Sequence, residues 1–510
     1  MIPTKSSEFE VKLLFPDNKL EPIEQWIISK GGVRRQHLQA AYIDTPHFLL
    51  TQAGIAFRLR KEGRKWIQTL KVSTNNPLER LEHNIVLEAT GNAIPKWDLD
   101  LHHHDKSGQL LKKRLPKLKA DDLQICYQTD IWRRRAVIKT PQGELEYALD
   151  RGSIYSLIPG SSTSTPVQEL EIELKEGDSH EVLNHVQKII KRYGAFIDTR
   201  SKSERGYLLA SGLEFSPPAR AKFISLKGVG DNREIISRLI NSCMQQVLAN
   251  QSVLNTEFKH YPEYLHQLRV GLRRLKTLLK YLEAGNTCIG DEWIAVFKRV
   301  FGALGQYRDN DYVSHILNPT LLSLGGPEIK LDDIAELPSP SCITGNKEFQ
   351  LLLVKLMSLG LAQATPIGAP VEDGSAKEGK AIFKKKIAKM LNSRFRFISN
   401  QAPKFASLQD EEIHSMRKKM KFMRYSLEFF RDYCIKKAYP KFLKALTVTL
   451  DYFGLFNDIC VAIDRIESRA KSDPSLLFAL GWLKAERQRV RGLCGKSLKQ
   501  LIQMGTPWEE

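Results

Sequence analysis

The sequence predicts an α+β chain: an N-terminal eight-stranded antiparallel β tunnel with flanking helices, then an all-α region of two four-helix repeats. Three observations predict it. Charged and apolar residues alternate at about eight places before residue 180, and a period of two belongs to a half-buried strand. The alternation then stops, and from Arg233 onward Leu, Lys and Arg recur at helical spacing. Finally, a basic helical stripe near residue 270 returns 148 residues later, the mark of an internal duplication.

Composition bounds the possibilities. A chain of 510 residues exceeds one domain, and 42% apolar with 26% charged residues suits a globular protein with a substantial core. No apolar run is expected to reach membrane-spanning length; the best candidate, Leu351 to Ala362, is short and carries Lys355. Charges at Lys5 and Glu8 leave no signal-peptide core. The seven cysteines are scattered, odd in number and without a CxxC pair, which points to a reducing cytoplasm and no cysteine metal site. Net charge is +19, and residues 221–510 hold 44 Lys and Arg against 30 Asp and Glu. Such a surface calls for a polyanion: nucleic acid, polyphosphate or anionic lipid. No aromatic-interleaved basic segment of the base-stacking kind is present, so nucleic acid is the weaker candidate, and no membrane partner is expected.

The first strand is Glu8-Phe9-Glu10-Val11-Lys12, with Glu8, Glu10 and Lys12 on one face and Phe9, Val11 and Leu13 on the other. Ile23 to Lys30 reads as a short helix ended by Gly31-Gly32. Ala40 to Pro46 reads as a strand entering a turn. Phe57 to Arg60 places Arg58 and Arg60 together, and Trp66 to Lys71 places Thr69 with Lys71. Arg80 to Val86 sets Arg80, Glu82 and Asn84 against Leu81, His83 and Ile85. Further on, Arg133 pairs with Arg135, Glu146 with Asp150, and Glu169, Glu171 and Glu173 share a face. Three glutamates on one strand face repel unless cations lie between them. A closed barrel with a polar lumen resolves this, its apolar outside covered by helices. Its carboxylates suit hard divalent cations and its Arg and Lys suit phosphoryl oxygens, so together they describe a site for a metal–polyphosphate complex.

Residues 1 to about 210 resemble the CYTH family of triphosphate tunnel metalloenzymes. The motif E-x-E-x-K stands as Glu8, Glu10 and Lys12. It is followed in family order by Tyr42 to Pro46, Arg58/Arg60, Lys71, Arg80/Glu82, Glu146/Asp150, Glu169/Glu171/Glu173 and Ser201 to Tyr207. The resemblance implies phosphate contacts from Arg58, Arg60, Lys71, Arg133, Lys202 and Arg205, with Arg80 and Arg135 beside them. It implies Mg²⁺ or Mn²⁺ ligands among Glu8, Glu10, Asp150, Glu169 and Glu171, joined by Glu82, Glu146 and Glu173. Lys12 orients the terminal phosphoryl group, and the catalytic set is Glu8, Glu10, Lys12, Arg58, Lys71 and Glu171. The implied reaction is metal-dependent hydrolysis of inorganic triphosphate to pyrophosphate and phosphate, by in-line attack of water. Which carboxylate meets which metal stays open. Thiamine or nucleoside triphosphate hydrolysis, or cyclisation of ATP, would use the same tunnel, and a non-catalytic polyphosphate-binding protein is the other alternative. His102-His103-His104, within residues 91–120, receives no role, since zinc sites need spaced ligands.

Residues 1–212 are therefore expected to form the tunnel domain, 213–232 a linker with Pro217-Pro218 and Gly228, and 233–510 the helical domain, with repeats of about 233–360 and 380–510. His266, Arg269, Arg273, Lys276 and Lys280 form one stripe, and His414, Arg417, Lys421 and Arg424 repeat it. Gly305 before Arg308-Asp309 returns as Gly454 before Asn457-Asp458, at an offset of 149. Gly360 to Gly379 reads as a mobile linker between copies. Two copies imply a shared basic groove, with Asp309, Asp311 and Asp458 available for internal pairing. Residues 225 to 510 resemble the CHAD family, which implies a helical bundle whose stripes, with Arg274 and Lys418, bind inorganic polyphosphate. The expected location is the cytoplasm, in association with polyphosphate granules.

Overall fold

The computed structural model describes residues 8–74, 76–88, 91–158, 164–229, 232–256, 262–283, 290–329, 337–361 and 376–508. The linker expected at Gly360 to Gly379 lies largely outside them. The described residues divide into two compact units: those within 1–220, 244–268 and 340–364 form one, and those within 221–243, 269–339 and 365–510 form the other.

In the first unit, β1 (Glu8–Leu14), β2 (Arg34–Asp44), β3 (Ile55–Glu62), β4 (Lys65–Ser73), β5 (Glu79–Leu87), β6 (Gln124–Thr140), β7 (Gly143–Ser156) and β8 (Ser164–Gly177) form an antiparallel sheet. Its order is β5-β4-β3-β2-β6-β7-β8-β1, and Glu8 pairing with Arg80 joins β1 back to β5. The result is a closed eight-stranded barrel, which removes the sheet's edges. All eight expected strands are present. β2 begins earlier than its apolar core suggested, because Arg34, Arg35 and Gln36 extend the ladder along Arg133 to Arg135. The two-residue strand β9 (Phe196–Ile197) lies along β1.

Helices cover the apolar outside. The short helix α1 occupies Leu20–Ile28, and α2 Leu49–Gln52. α3 (Lys106–Arg114) and the residues before it account for the segment 91–120: Trp97, Leu99 and Leu111 pack with Phe57, Leu59, Trp66 and Leu70. α4 (Ser179–Tyr193) buries Val182, Val186, Ile189 and Ile190 and packs on β1 and β8. α5 (Lys202–Ser211) packs on β6 and β7. A Cβ on Gly206 would lie 2.2 Å from the Tyr127 ring, so this close approach requires glycine.

The described elements after α5 are helices: α6 (Asn232–Leu254), α7 (Pro262–Glu283), α8 (Asp291–Tyr312), a π-helical turn (Val313–Leu317), α9 (Asn318–Ser323), α10 (Pro340–Thr344) and α11 (Lys347–Gly360). Then come α12 (Ala376–Gln401), α13 (Asp410–Phe429), α14 (Tyr439–Arg469) and α15 (Leu476–Gln503). Pro262 and Asp410, which open α7 and α13, are themselves 148 residues apart. The long α14 corresponds to the continuous run of α8, the π turn and α9. The division into compact units differs from a boundary at 213–232, because the second half of α6 and all of α11 cluster with the barrel.

One expectation is corrected. α14 is long and apolar enough to cross a membrane by length and composition, with mean hydropathy 1.4 over its best window. Half of that window is buried, and Phe442, Leu446, Leu450, Phe453 and Ile459 pack inside the helical unit. Core burial accounts for the apolar content. Among the described residues the cysteines are free thiols.

Candidate functional site

The barrel encloses a cavity of about 280 Å³. Strand alternation places Glu8, Glu10 and Lys12 of β1 in its wall, with Arg58 and Arg60 of β3, Lys71 of β4, and Arg80 and Glu82 of β5. Arg133 and Arg135, Glu146 and Asp150, Glu171 and Glu173, and Lys202 complete the charged lining. Of the expected tunnel residues, Glu169 and Arg205 do not line it. Glu169 has no exposed surface. Arg205, nearly one helical turn beyond Lys202, is directed instead to Glu169 at 3.3 Å and to the Pro166 carbonyl. Arg134 lies on the other face of β6 and, with Arg151, pairs with Glu24 of α1.

One side of the lumen gathers carboxylates around a lysine. Cross-strand register sets Asp150 beside Glu169 and Ala148 beside Glu171. Ligand oxygens of Asp150, Glu169 and Glu171 all lie within 4.8 Å of one another. The Lys202 ammonium sits among them, 2.6 Å from Asp150, 2.5 Å from Glu169 and 2.8 Å from Glu171. Arg133 bridges Asp150 and Glu171, each at 2.6 Å. Burial opposes the charge on Glu171, but Lys202, Arg133 and Lys12 outweigh it and hold its pKa well below the usual range. Burial likewise opposes the charge on Lys202, and the three carboxylates overcome it and raise its pKa. The three carboxylates have the oxygen donors that suit a hard divalent cation such as Mg²⁺ or Mn²⁺, which would take the place now held by the Lys202 ammonium.

The other side interleaves both signs. Lys71 lies 2.5 Å from Glu8 and 2.8 Å from Glu82, and Arg80 lies 3.8 Å from Glu10. Glu8 and Glu82 diverge. Burial dominates at Glu8 and raises it well above the usual carboxylate range. At Glu82 burial is overcome by Lys71, by a hydrogen bond with Glu8 and by Arg58, so its pKa is lowered. Arg58 donates to the Tyr42 hydroxyl at 3.3 Å, while its buried Nε has no hydrogen-bond partner. The buried Nε of Arg60 is also unpartnered, although its terminal nitrogen pairs with Glu62. Buried donors without acceptors are costly and mark where an anion would be welcome.

Sequence reasoning missed Lys175, and it quoted Tyr42 within a motif without giving it a role in the site. Lys175 bridges Glu146 at 3.2 Å and Glu173 at 2.8 Å. Its signal was present, since it continues the Glu169-Glu171-Glu173 alternation by one more step. Tyr42 pairs across strands with Arg58, which no local pattern announces. His102 is fully buried, its ring nitrogens 3.1 Å from Gln68 and 2.9 Å from His83. Burial, then the neighbouring His83, lower its pKa to about 4. It packs the barrel wall, and His103 pairs with Asp100 at 3.1 Å.

In the second unit the two stripes meet. Arg308 lies 2.6 Å from Asp458. Around this pair stand Arg273, Arg417 and Lys421, and the buried Nε atoms of Arg273 and Arg417 have no hydrogen-bond partner. Burial first, then Arg273, Arg417 and Arg308, lower Lys421 to about 5. The duplicated glycines make room: Arg269 approaches the Cβ position of Gly305 to 3.1 Å, and Arg417 that of Gly454 to 3.7 Å. His414 is 2.8 Å from Asn457. His266, Lys276, Lys280 and Lys418 are exposed on their helices. Arg274 is buried over the Phe429 ring, and Arg424 pairs with Glu428 at 3.0 Å. The side chain of Asp309 lies outside the described residues.

A closed β tunnel lined by paired carboxylates and by arginines with unpartnered buried nitrogens, on a chain with a basic helical region, defines a class of charged-tunnel proteins. Within that class, the chain carries a CYTH domain, matched over residues 6–207, followed by a CHAD domain, matched over residues 238–467. CYTH enzymes are metal-dependent, and the fold binds triphosphate substrates. The chain is 27% identical over 209 residues to the inorganic triphosphatase of Haemophilus influenzae, covering 40% of this chain and 55% of that protein. It thus spans about half the length of this curated relative. Among solved structures it is similar to the CHAD domain of Ricinus communis, at 24% identity and TM-score 0.44, over 57% of this chain and 98% of the other. It is also similar to a putative adenylyl cyclase from Hippeastrum described as having a dominant triphosphatase activity. There the identity is 19% and the TM-score 0.29, over 41% of this chain and 98% of the other.

Proposed function

We propose that the tunnel hydrolyses inorganic triphosphate to pyrophosphate and phosphate, and that the helical unit binds inorganic polyphosphate. The observation that supports the first part is one cavity lined both by Asp150 and Glu171 of the carboxylate triad and by arginines with unpartnered buried nitrogens. Arg58, Arg60 and Lys71 would bind phosphoryl oxygens and stabilise charge on the equatorial oxygens and the leaving pyrophosphate. Lys12 would orient the terminal phosphoryl group. Asp150, Glu169 and Glu171 would hold Mg²⁺ or Mn²⁺. When bound, such a cation supplies charge neutralisation and a more acidic water. The attacking water loses its proton to a lumen carboxylate, a bond forms between its oxygen and the terminal phosphorus, and the bond to the bridging oxygen breaks.

For the second part, the support is the cluster of Arg273, Arg308, Arg417 and Lys421 around the Asp458 carboxylate. Arg273, Arg308 and Arg417 repel one another here; burial and these charges hold Lys421 in its neutral form, and a bound polyanion would offset that repulsion and recharge the lysine. This unit would tether the chain to polyphosphate granules in the cytoplasm, which microscopy of a fluorescent fusion tests.

The deciding experiment is phosphate release from tripolyphosphate by the full chain, with and without Mg²⁺ or Mn²⁺. Metal-dependent release that Glu8→Ala abolishes without unfolding supports the reading. Equal turnover in that variant overturns it. Thiamine triphosphate and ATP at equal concentration identify a different triphosphate as the substrate.

A further inference from the structure

Lys12 is held by a segment of chain that two helices from far along the sequence hold in turn. The segment is β9 with the residues that follow it, 197 to 200. On one edge Ile197 pairs with Leu13 of β1. On its other edge no strand lies among the described residues. Instead Gln251 of α6 donates its amide to the Ile197 carbonyl at 2.5 Å, and the Ile197 N–H donates to the Gln350 side-chain oxygen of α11 at 2.9 Å. The two amides are joined, Gln350 donating to Gln251 at 3.0 Å. Gln350 also donates to the Thr344 carbonyl at 2.6 Å. Both glutamines have no exposed surface. The pair offers one donor and one acceptor to a single residue's backbone, as a neighbouring strand would. Two residues on, the Thr199 N–H donates to Ser252 Oγ at 3.0 Å.

The segment then returns to Lys12. The Asp198 N–H donates to the Lys12 carbonyl at 3.1 Å. The Asp198 carboxylate accepts from the Arg200 N–H at 2.7 Å and from its guanidinium. This fixes the Arg200 carbonyl, which accepts from the Lys12 ammonium at 2.8 Å. A two-residue strand does not hold its own place. Without the glutamines, a buried N–H and a buried carbonyl at Ile197 lose their partners.

We infer that Gln251 and Gln350 are positioning residues for Lys12: they fix the 197–200 segment whose Arg200 carbonyl aims the Lys12 ammonium into the lumen. Two helices of the C-terminal half thereby become a working part of the tunnel. The kinetic consequence rests on the triphosphatase reading above; the placement of Lys12 does not. Catalytic groups must be held to a fraction of an ångström, and a shift of about 1 Å costs as much as a hundredfold in rate.

The test is a double-mutant cycle in the full chain, with tripolyphosphate as the substrate. Gln350→Ala should lower kcat about tenfold or more and leave KM within about twofold. In a Lys12→Ala background it should have no further effect, because it acts through Lys12. Gln350→Glu, which keeps the acceptor for the Ile197 N–H, should recover part of the loss. Wild-type kcat in Gln350→Ala, or losses that multiply in the double variant, overturns the inference. Where Gln350→Ala does not fold, Ser252→Ala replaces it in the cycle, with the same expected non-additivity and the same overturning results. A wild-type chain that does not turn over tripolyphosphate refutes the triphosphatase reading alone. The ¹⁵N signal of the Lys12 ammonium then decides: a shift in Gln350→Ala supports the positioning role, and an unchanged signal overturns it.

Discussion

Lys202 places its ammonium 2.5 Å from Glu169, a carboxylate without exposed surface. The lysine opens α5 and the glutamate lies in β8, so the end of the barrel and its wall are tied by one buried charge pair. The same ammonium neutralises Asp150 and Glu171. Lys202→Met leaves three buried carboxylates short of a counter-charge. We expect a loss of about 3–5 kcal/mol, in the range for breaking a buried pair, partly recovered when Mg²⁺ or Mn²⁺ is added. Thermal melts of both proteins with and without metal check this; equal melting temperatures contradict it.

Arg58 is the opposite case. It has a hydrogen bond to Tyr42 and an unpartnered Nε. Arg58→Met should therefore change stability by no more than about 1–2 kcal/mol while lowering kcat with tripolyphosphate by about a hundredfold or more. Denaturant titration beside steady-state kinetics separates the two effects. A stable, fully active variant refutes a phosphate-binding role for this arginine.

Lys421 sets up a stability–binding conflict. Its pKa is about 5 in the folded chain, against about 10.4 for an ordinary lysine. Between these values the unfolded chain binds more protons, so this group makes stability rise with pH across the window from about 5 to about 10. Lys421→Met should flatten that rise and melt higher at pH 7, yet bind polyphosphate more weakly. Melting curves against pH, with polyphosphate titrations at fixed ionic strength, test both halves.

His102 offers a control for metal binding. It is buried, partnered by Gln68 and His83, and titrates at about 4. Its pKa is depressed, so its contribution to stability falls as pH drops from about 6.5, the unfolded value, through 4. His102→Leu should cost about 1–3 kcal/mol through unsatisfied partners and leave the metal requirement of turnover unchanged. A shifted metal requirement in that variant points to a histidine ligand instead.

The barrel was legible because strand alternation is local. Glu8-Phe9-Glu10-Val11-Lys12 announces its own inward and outward faces, and so does Glu169 to Leu174. The duplication was legible for the same reason: stripes and glycines are spacings within one helix. Arg205 shows the limit. It stands in the right motif, yet its position in α5 directs its guanidinium to Glu169 and not to the cavity. α14 shows another, since its apolar composition reflects burial in a bundle that no window of sequence reveals.

By itself the sequence determined which residue types face the lumen and which lie on the basic stripes, because side-chain direction follows from backbone period. Only the tertiary structure decided the pairings: Lys202 with three carboxylates, Arg308 with Asp458, and Gln251 and Gln350 with Ile197. Each joins residues far apart in the chain. Charge neutralisation and hydrogen-bond satisfaction act over a few ångströms in space, and strand register and helix packing alone bring those partners within reach.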